Sequence, residues 1–192
     1  MAKPQLVVLG FLAKKPMHGY QIGQIVEEMK LHIWAGIKLP SIYKALQILE
    51  SRKYIRGEQV TEGNNPPRTV FHVNPKGLKL LREMILEELV NHDLLPMDWW
   101  MLVSFSQKAV TKAELLHALD KRLELVKSIS KNERKSKCDE LLETGELPFV
   151  MRHIQSLGSR HHKAESQTLT ELRDDILSGS HDEFFLSEGD EQ

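Results

Sequence analysis

Pro40-Ser-Ile-Tyr-Lys-Ala-Leu-Gln-Ile-Leu-Glu-Ser-Arg-Lys53 decides the fold, together with Tyr54-Ile55 and a polar turn from Glu62 to Pro67. Ile42, Ala45, Leu46 and Leu49 recur at helical spacing and share one stripe, which predicts a helix with an apolar back. Its opposite face carries Lys44, Gln47 and Ser51, with Tyr43 on the shoulder. A short helix of this kind, polar and singly basic in front, suits insertion into a groove of double-stranded DNA.

The flanking segments extend the pattern. Leu6, Val7, Leu9, Phe11 and Leu12 make an apolar helix over 4–14, stopped by Lys14-Lys15-Pro16. A second helix opens near His18-Gly19-Tyr20, with Ile22, Ile25, Val26 and Met29 on one face, and a loop through Trp34, Gly36 and Pro40 follows. Downstream, Tyr54–Thr61 and Thr69–Val73 are β-prone runs separated by Gly63-Asn-Asn-Pro-Pro67, which reads as a two-stranded hairpin. Asn74-Pro75 supplies a cap and a first-turn proline for a fourth helix carrying Leu78, Leu81, Ile85 and Leu89. The fold expected is therefore mainly α, with an N-terminal winged helix-turn-helix domain over 1–91 and a two-stranded wing.

Charge supports a division of labour. Residues 1–79 hold 12 Lys and Arg against 5 Glu and no Asp, a balance of +7, whereas the remainder stands at −8 within an overall charge of −1. A basic first half fits a polyanionic partner. The single cysteine, Cys138, excludes an internal disulfide framework, and no apolar run approaches the ~20 residues of a membrane span, so a cytoplasmic location and no membrane partner are expected.

The second half reads as helical. Met97–Phe105 is rich in large apolar residues, Thr111-Lys-Ala-Glu114 resembles a capping box, and Leu115, Leu116, Leu119, Leu123, Val126 and Ile129 line one side of the helix it opens. After a turn at Thr144–Pro148, a long helix to about Ile176 places Val150, Ile154, Leu157, His161, Ala164, Thr168 and Leu172 three or four residues apart. Narrow seams on long helices need a partner helix. Residues 96–178 are thus expected to form a helical dimerisation domain, with Leu115, Leu119, Leu123, Val126, Ile154, Leu157 and Leu172 in the seam of a homodimer. Residues 179–192, with five acidic residues and no basic one, read as a disordered tail.

His18-Gly19-Tyr20-Gln21-Ile22, Pro40-Ser41-Ile42-Tyr43, Leu46, Leu49-Glu50, Ile55, Arg68, Phe71, Asn74 and Gly77 resemble, in order and spacing, the PadR family of bacterial transcription regulators. The resemblance covers residues 5–81. It implies a homodimer that binds a near-palindromic operator, usually represses a neighbouring gene, and releases DNA on binding a small aromatic or hydrophobic effector. Three positions depart from the family: Lys53 where glycine is usual, Val70-Phe71 where a tyrosine pair is common, and Asn74 for the usual threonine.

Candidate DNA contacts follow from these readings. Lys44, Gln47 and Ser51 are base and phosphate contacts or simply the wet face of the helix, and Gln47 is the better reader because an amide pairs bidentately with adenine. Tyr43 donates to phosphate or edges the core, Ser41 is read as the helix N-cap that also touches phosphate, and Arg68 enters the minor groove or sits near phosphates. Lys38, Arg52 and Lys53 are positioning charges. Trp99 and Trp100 point about 100° apart on a helix. One of them could face an inter-subunit cavity that takes a flat aromatic effector.

The nine histidines are scattered, with no metal-ligand spacing, nucleophile elbow or phosphate loop beside them, so no enzyme, metal or cofactor is expected. The competing reading is a protein-interaction adaptor that uses a winged helix and long helices without sequence-specific DNA binding.

Overall fold

The computed structural model describes residues 3–61, 68–91, 96–133, 144 and 148–187. The wing turn at Glu62–Pro67, Cys138 and most of the Thr144–Pro148 turn lie outside these. The chain forms two units. One runs to Thr111 and resumes at Glu183; the other is Lys112–Asp182.

The first unit begins with α1 (Lys3–Lys14), whose residues Leu6 to Leu12 are all buried. A helix apolar all round is a central helix, and α1 packs on the helix of the quoted stretch, on the wing and on the helix after it. Beyond Pro16, Met17–His18 form a short strand, β1, and α2 (Gly19–Glu28) follows with Ile22 and Val26 buried. The expected loop before the third helix contains a further short helix, α3 (Leu31–Trp34), held by the Trp34 Nε1 bond to the Met29 carbonyl at 2.8 Å. Four residues are too few to show a period, which is why the pattern missed it.

The quoted stretch is α4 (Leu39–Ser51), with Ile42, Ala45, Leu46 and Leu49 buried as its spacing predicts. Strands β2 (Ile55–Val60) and β3 (Arg68–Val73) make the hairpin, in register Ile55 with Val73 through Val60 with Arg68. The sheet has three strands rather than two, because Met17 and His18 pair with Phe71 and Val70 on the other side of β3.

Between α4 and β2 the chain turns through Lys53, at φ +59°. Its amide donates to the Glu50 carbonyl, and that of Tyr54 to the Leu49 carbonyl, both at 2.9 Å. This is the two-bond helix ending that normally recruits glycine. Helix α5 (Pro75–Leu89) opens as expected, with the Asn74 side chain accepting from the Gly77 amide at 3.0 Å and its Nδ2 donating to the Lys53 carbonyl at 2.9 Å.

The boundary expected at 91–96 is displaced. Helix α6 (Pro96–Phe105) belongs to the first unit: Trp99 is fully buried and its Nε1 donates to the Leu89 carbonyl of α5 at 3.1 Å, while Asp98 pairs with Lys3 of α1 at 2.6 Å. Residues 179–187 are likewise not a loose tail. Asp182–Phe184 form a 3-10 turn and Phe185 is buried. The Lys108 amide donates to the Phe184 carbonyl at 2.8 Å, and the Leu186 amide to the Val110 carbonyl at 2.9 Å. The apolar triplet Phe184-Phe185-Leu186 gains enough from burial to order an otherwise acidic segment.

The second unit is an antiparallel pair, α7 (Lys112–Glu133) and α8 (Val150–Leu177), as the partnerships Lys112–Asp182, Asp120–Arg173 and Arg122–Glu165 require. Arg122 and Glu165 are both buried, with Nε and Nη2 each 2.9 Å from Oε1. A desolvated pair of this kind disfavours every register that parts the charges. No helix among the described residues is long and apolar enough to cross a membrane.

Candidate nucleic-acid interface

Helix α4 presents its polar face outward. Lys44, Gln47 and Ser51 are exposed, as are Tyr43, Lys38, Arg52 and, on the wing, Arg68. Ser41 is not the N-cap: that position belongs to Lys38, in extended conformation, with Pro40 in the first turn. The Ser41 hydroxyl lies inside the turn and donates to the Lys38 carbonyl at 2.6 Å. Ser51 similarly donates to the Ile48 carbonyl at 2.9 Å, which leaves its oxygen only as an acceptor toward a ligand.

An open cleft of about 810 Å³ runs between the start of α2, one side of α4 and the Arg68–Phe71 part of β3. It brings together Tyr43, Gln47 and Arg68 from the expected contacts; Lys38, Ser41, Lys44, Ser51 and Arg52 stand outside it. It adds Tyr20, Gln21, Gln24 and Glu50, which sequence reasoning left out. Tyr20 is 68% exposed, and with Gln24 it forms an i, i+4 polar edge on α2. That spacing was visible, but its meaning depended on knowing that the start of α2 borders the same cleft as α4. Gln21 is partly committed, since its Oε1 accepts from the His18 amide at 2.9 Å and closes the start of α2. His18 in turn lies 3.4 Å through Nδ1 from the Thr69 carbonyl of β3.

Charge on this face is mainly positive. Lys38, Lys44, Arg52, Lys53 and Arg68 are all exposed, and Glu50 is the one carboxylate among the residues lining the cleft. Such a face offers long cations for phosphates and flat amides for base edges.

The other expected sites are rearranged. Trp99 is a core residue whose indole N–H is already satisfied, so it cannot line an effector cavity; Trp100, half-buried and edge-on to it at 5.3 Å, keeps an accessible side. Leu115, Leu119, Leu123 and Val126 of α7 are buried within the chain, which removes them from an inter-chain seam. Helix α8 buries Glu165, Leu169 and Ile176, so its predicted seam is on the outside: Ile154 is 56% and Leu157 64% exposed, and only Leu172 is half-buried. Two stripes run along α8, and periodicity alone selected the longer.

Residues 8–83 match the model of the transcriptional regulator PadR-like family. No curated protein matches. Among solved structures, a Streptococcus mutans UA159 protein is 23% identical with a TM-score of 0.41, covering 87% of this chain and 96% of its own. A Bacillus subtilis PadR in complex with operator DNA is 19% identical at 0.40, covering 92% and 98%. A PadR-like transcriptional regulator from Bacillus cereus is 21% identical at 0.41, covering 91% and 95%. The likeness to the transcriptional regulator PadR-like family thus spans residues 8–83, from within α1 to within α5.

Proposed function

We propose that the chain is a homodimeric, DNA-binding repressor that reads a near-palindromic operator with α4 and steadies it with the wing. The observation that carries this reading is the sidedness of α4: its apolar stripe is buried while Lys44, Gln47 and Ser51 stand in solvent, next to a cleft shared with Arg68. Helices docked in the major groove have this construction. The match of residues 8–83 to the transcriptional regulator PadR-like family supports the same partner class.

The homodimer is supported by the outer stripe of α8, where Val150, Ile154 and Leu157 follow at intervals of four and three and are all exposed. A twofold axis would set two copies of α4 about 34 Å apart, one turn of duplex. If a flat aromatic effector triggers release, Trp100 is the tryptophan of the pair that it can meet.

Selection of duplexes from a random pool tests the reading. The expected outcome is a pair of twofold-related half-sites about 10 base pairs apart, with affinity that falls steeply as salt rises. No retention of duplex at low salt would remove DNA binding and favour the adaptor reading.

A further inference from the structure

Glu50 stands where two effects oppose a carboxylate. It lies in the last turn of α4, the negative end of the helix dipole, and it lines the cleft with Arg68, on a face whose other exposed charges are cations that suit phosphate. What it gains is a backbone bond. The Gly57 amide donates to Glu50 Oε1 at 3.1 Å, across seven residues of chain. Gly57 belongs to β2, which the strand order β1-β3-β2 leaves at the edge of the sheet. An edge amide otherwise has only water to bond.

The position is shaped for this contact. A Cβ at residue 57 would fall 2.5 Å from Glu50 Oε1 and 2.8 Å from Thr69 Cγ2, so glycine is what lets the carboxylate reach the strand. Gly57 pairs with Phe71 in β3, and three residues along the same strand, opposite Val60, stands Arg68. Three residues of strand is about 10 Å, close enough for a pivot at Gly57 to move the wing cation by ångströms.

We propose that Glu50 is a positioning residue: by holding the Gly57 amide it fixes the wing against α4 and thereby sets where Arg68 meets the duplex. This rests on the reading that α4 and the wing bind DNA. It also explains why an acidic side chain persists on that face. The other side of the hairpin is held by β1, which pairs with Val70 and Phe71 of β3, whereas β2 is tied to α4 by this bond and by the tight turn at Arg52–Tyr54.

The test compares Glu50→Gln with Glu50→Ala, alone and with Arg68→Ala, on a duplex selected by the native chain. Glutamine keeps an acceptor oxygen and drops the charge; alanine drops both. The expected result is that Glu50→Gln binds as tightly as the native chain or tighter. Glu50→Ala should bind about 3–10-fold more weakly, although it too has lost a negative charge. Adding Glu50→Ala to Arg68→Ala should cost less than about 2-fold more, because the two act through one contact. Exchange of the Gly57 amide, followed by NMR on the free protein, should be slow in the native chain and in Glu50→Gln and fast in Glu50→Ala.

Equal or tighter binding by Glu50→Ala relative to Glu50→Gln would overturn the proposal in favour of plain repulsion. A changed base preference in Glu50→Gln would overturn it in favour of direct reading of a cytosine amino group. If the native chain retains no duplex, the DNA reading falls and with it the role for Arg68, while amide exchange still decides whether Glu50 holds the wing.

Discussion

Replacing Lys53 with glycine should stabilise the first unit while weakening its hold on DNA. Lys53 sits at φ +59° in the turn that ends α4, with both helix-closing bonds already formed around it. A side chain in this left-handed region costs on the order of 1–2 kcal/mol, and glycine relieves it. The greater freedom of glycine in the unfolded chain takes back roughly half of that, leaving a net gain of about 0.5–1 kcal/mol. All three tryptophans, Trp34, Trp99 and Trp100, lie in this unit and none in Lys112–Asp182, so fluorescence in urea follows it selectively. With a denaturant slope of ~2 kcal/mol/M, the midpoint should rise by about 0.3–0.5 M. Lys53→Ala is the control, since it removes the same exposed charge and keeps the strained backbone. It should share the weaker, less salt-dependent DNA binding without the gain in midpoint. A glycine variant whose midpoint equals or falls below that of the native chain would refute the strain argument.

Four further outcomes are expected. Lys44→Ala should weaken operator binding by roughly 1–2 kcal/mol, measured by fluorescence anisotropy, with the unfolding midpoint unchanged. Gly77→Ala should destabilise the first unit by about 1–3 kcal/mol in the same urea assay. Its Cβ would collide with the Tyr54 carbonyl oxygen, a backbone atom that cannot swing aside as a side-chain tip can. Arg122→Met strands the buried Glu165 carboxylate and should cost about 3–5 kcal/mol by circular dichroism, most of it recovered in the double variant Arg122→Met/Glu165→Leu. Leu157→Lys on the exposed stripe of α8 should leave that dichroism intact and give a monomer in sedimentation, whereas Leu115→Lys, aimed at a buried site, should unfold the helical pair.

Where a segment was long enough to carry a period, its residues announced the fold. The buried stripe of α4, the pair of wing strands and the Asn74 cap were all legible before any coordinates, whereas the strand register was not. The possibility of a left-handed Lys53 was legible too, because glycine is usual there. Short elements were not: β1 and α3 hold two and four residues, less than one repeat of any pattern. Partner choice was also hidden. The Met97–Phe105 run is greasy on most sides and says only that it is buried, not that Trp99 will reach the Leu89 carbonyl. In α8 the buried face contains Glu165, a residue that a hydrophobic scan discards, so the ion pair with Arg122 concealed the true inner stripe. The acidic average of the last fourteen residues similarly masked Phe184-Phe185-Leu186. Within the candidate face, exposure of Lys44 and Gln47 was predictable from the pattern of α4. The place of Tyr20, Gln24 and Glu50 beside them required knowing which elements border one cleft.

The return of Phe184–Leu186 to the loop at Lys108–Val110 gives the helical pair an architectural status of its own. Its departure and arrival points are neighbours, joined by the Lys112–Asp182 bridge at 2.7 Å. A module whose two ends meet in this way can lengthen, shorten or be exchanged while the chain around it keeps its path. Diversification of the helical pair can therefore proceed by grafting, without rewriting the unit to which it is spliced.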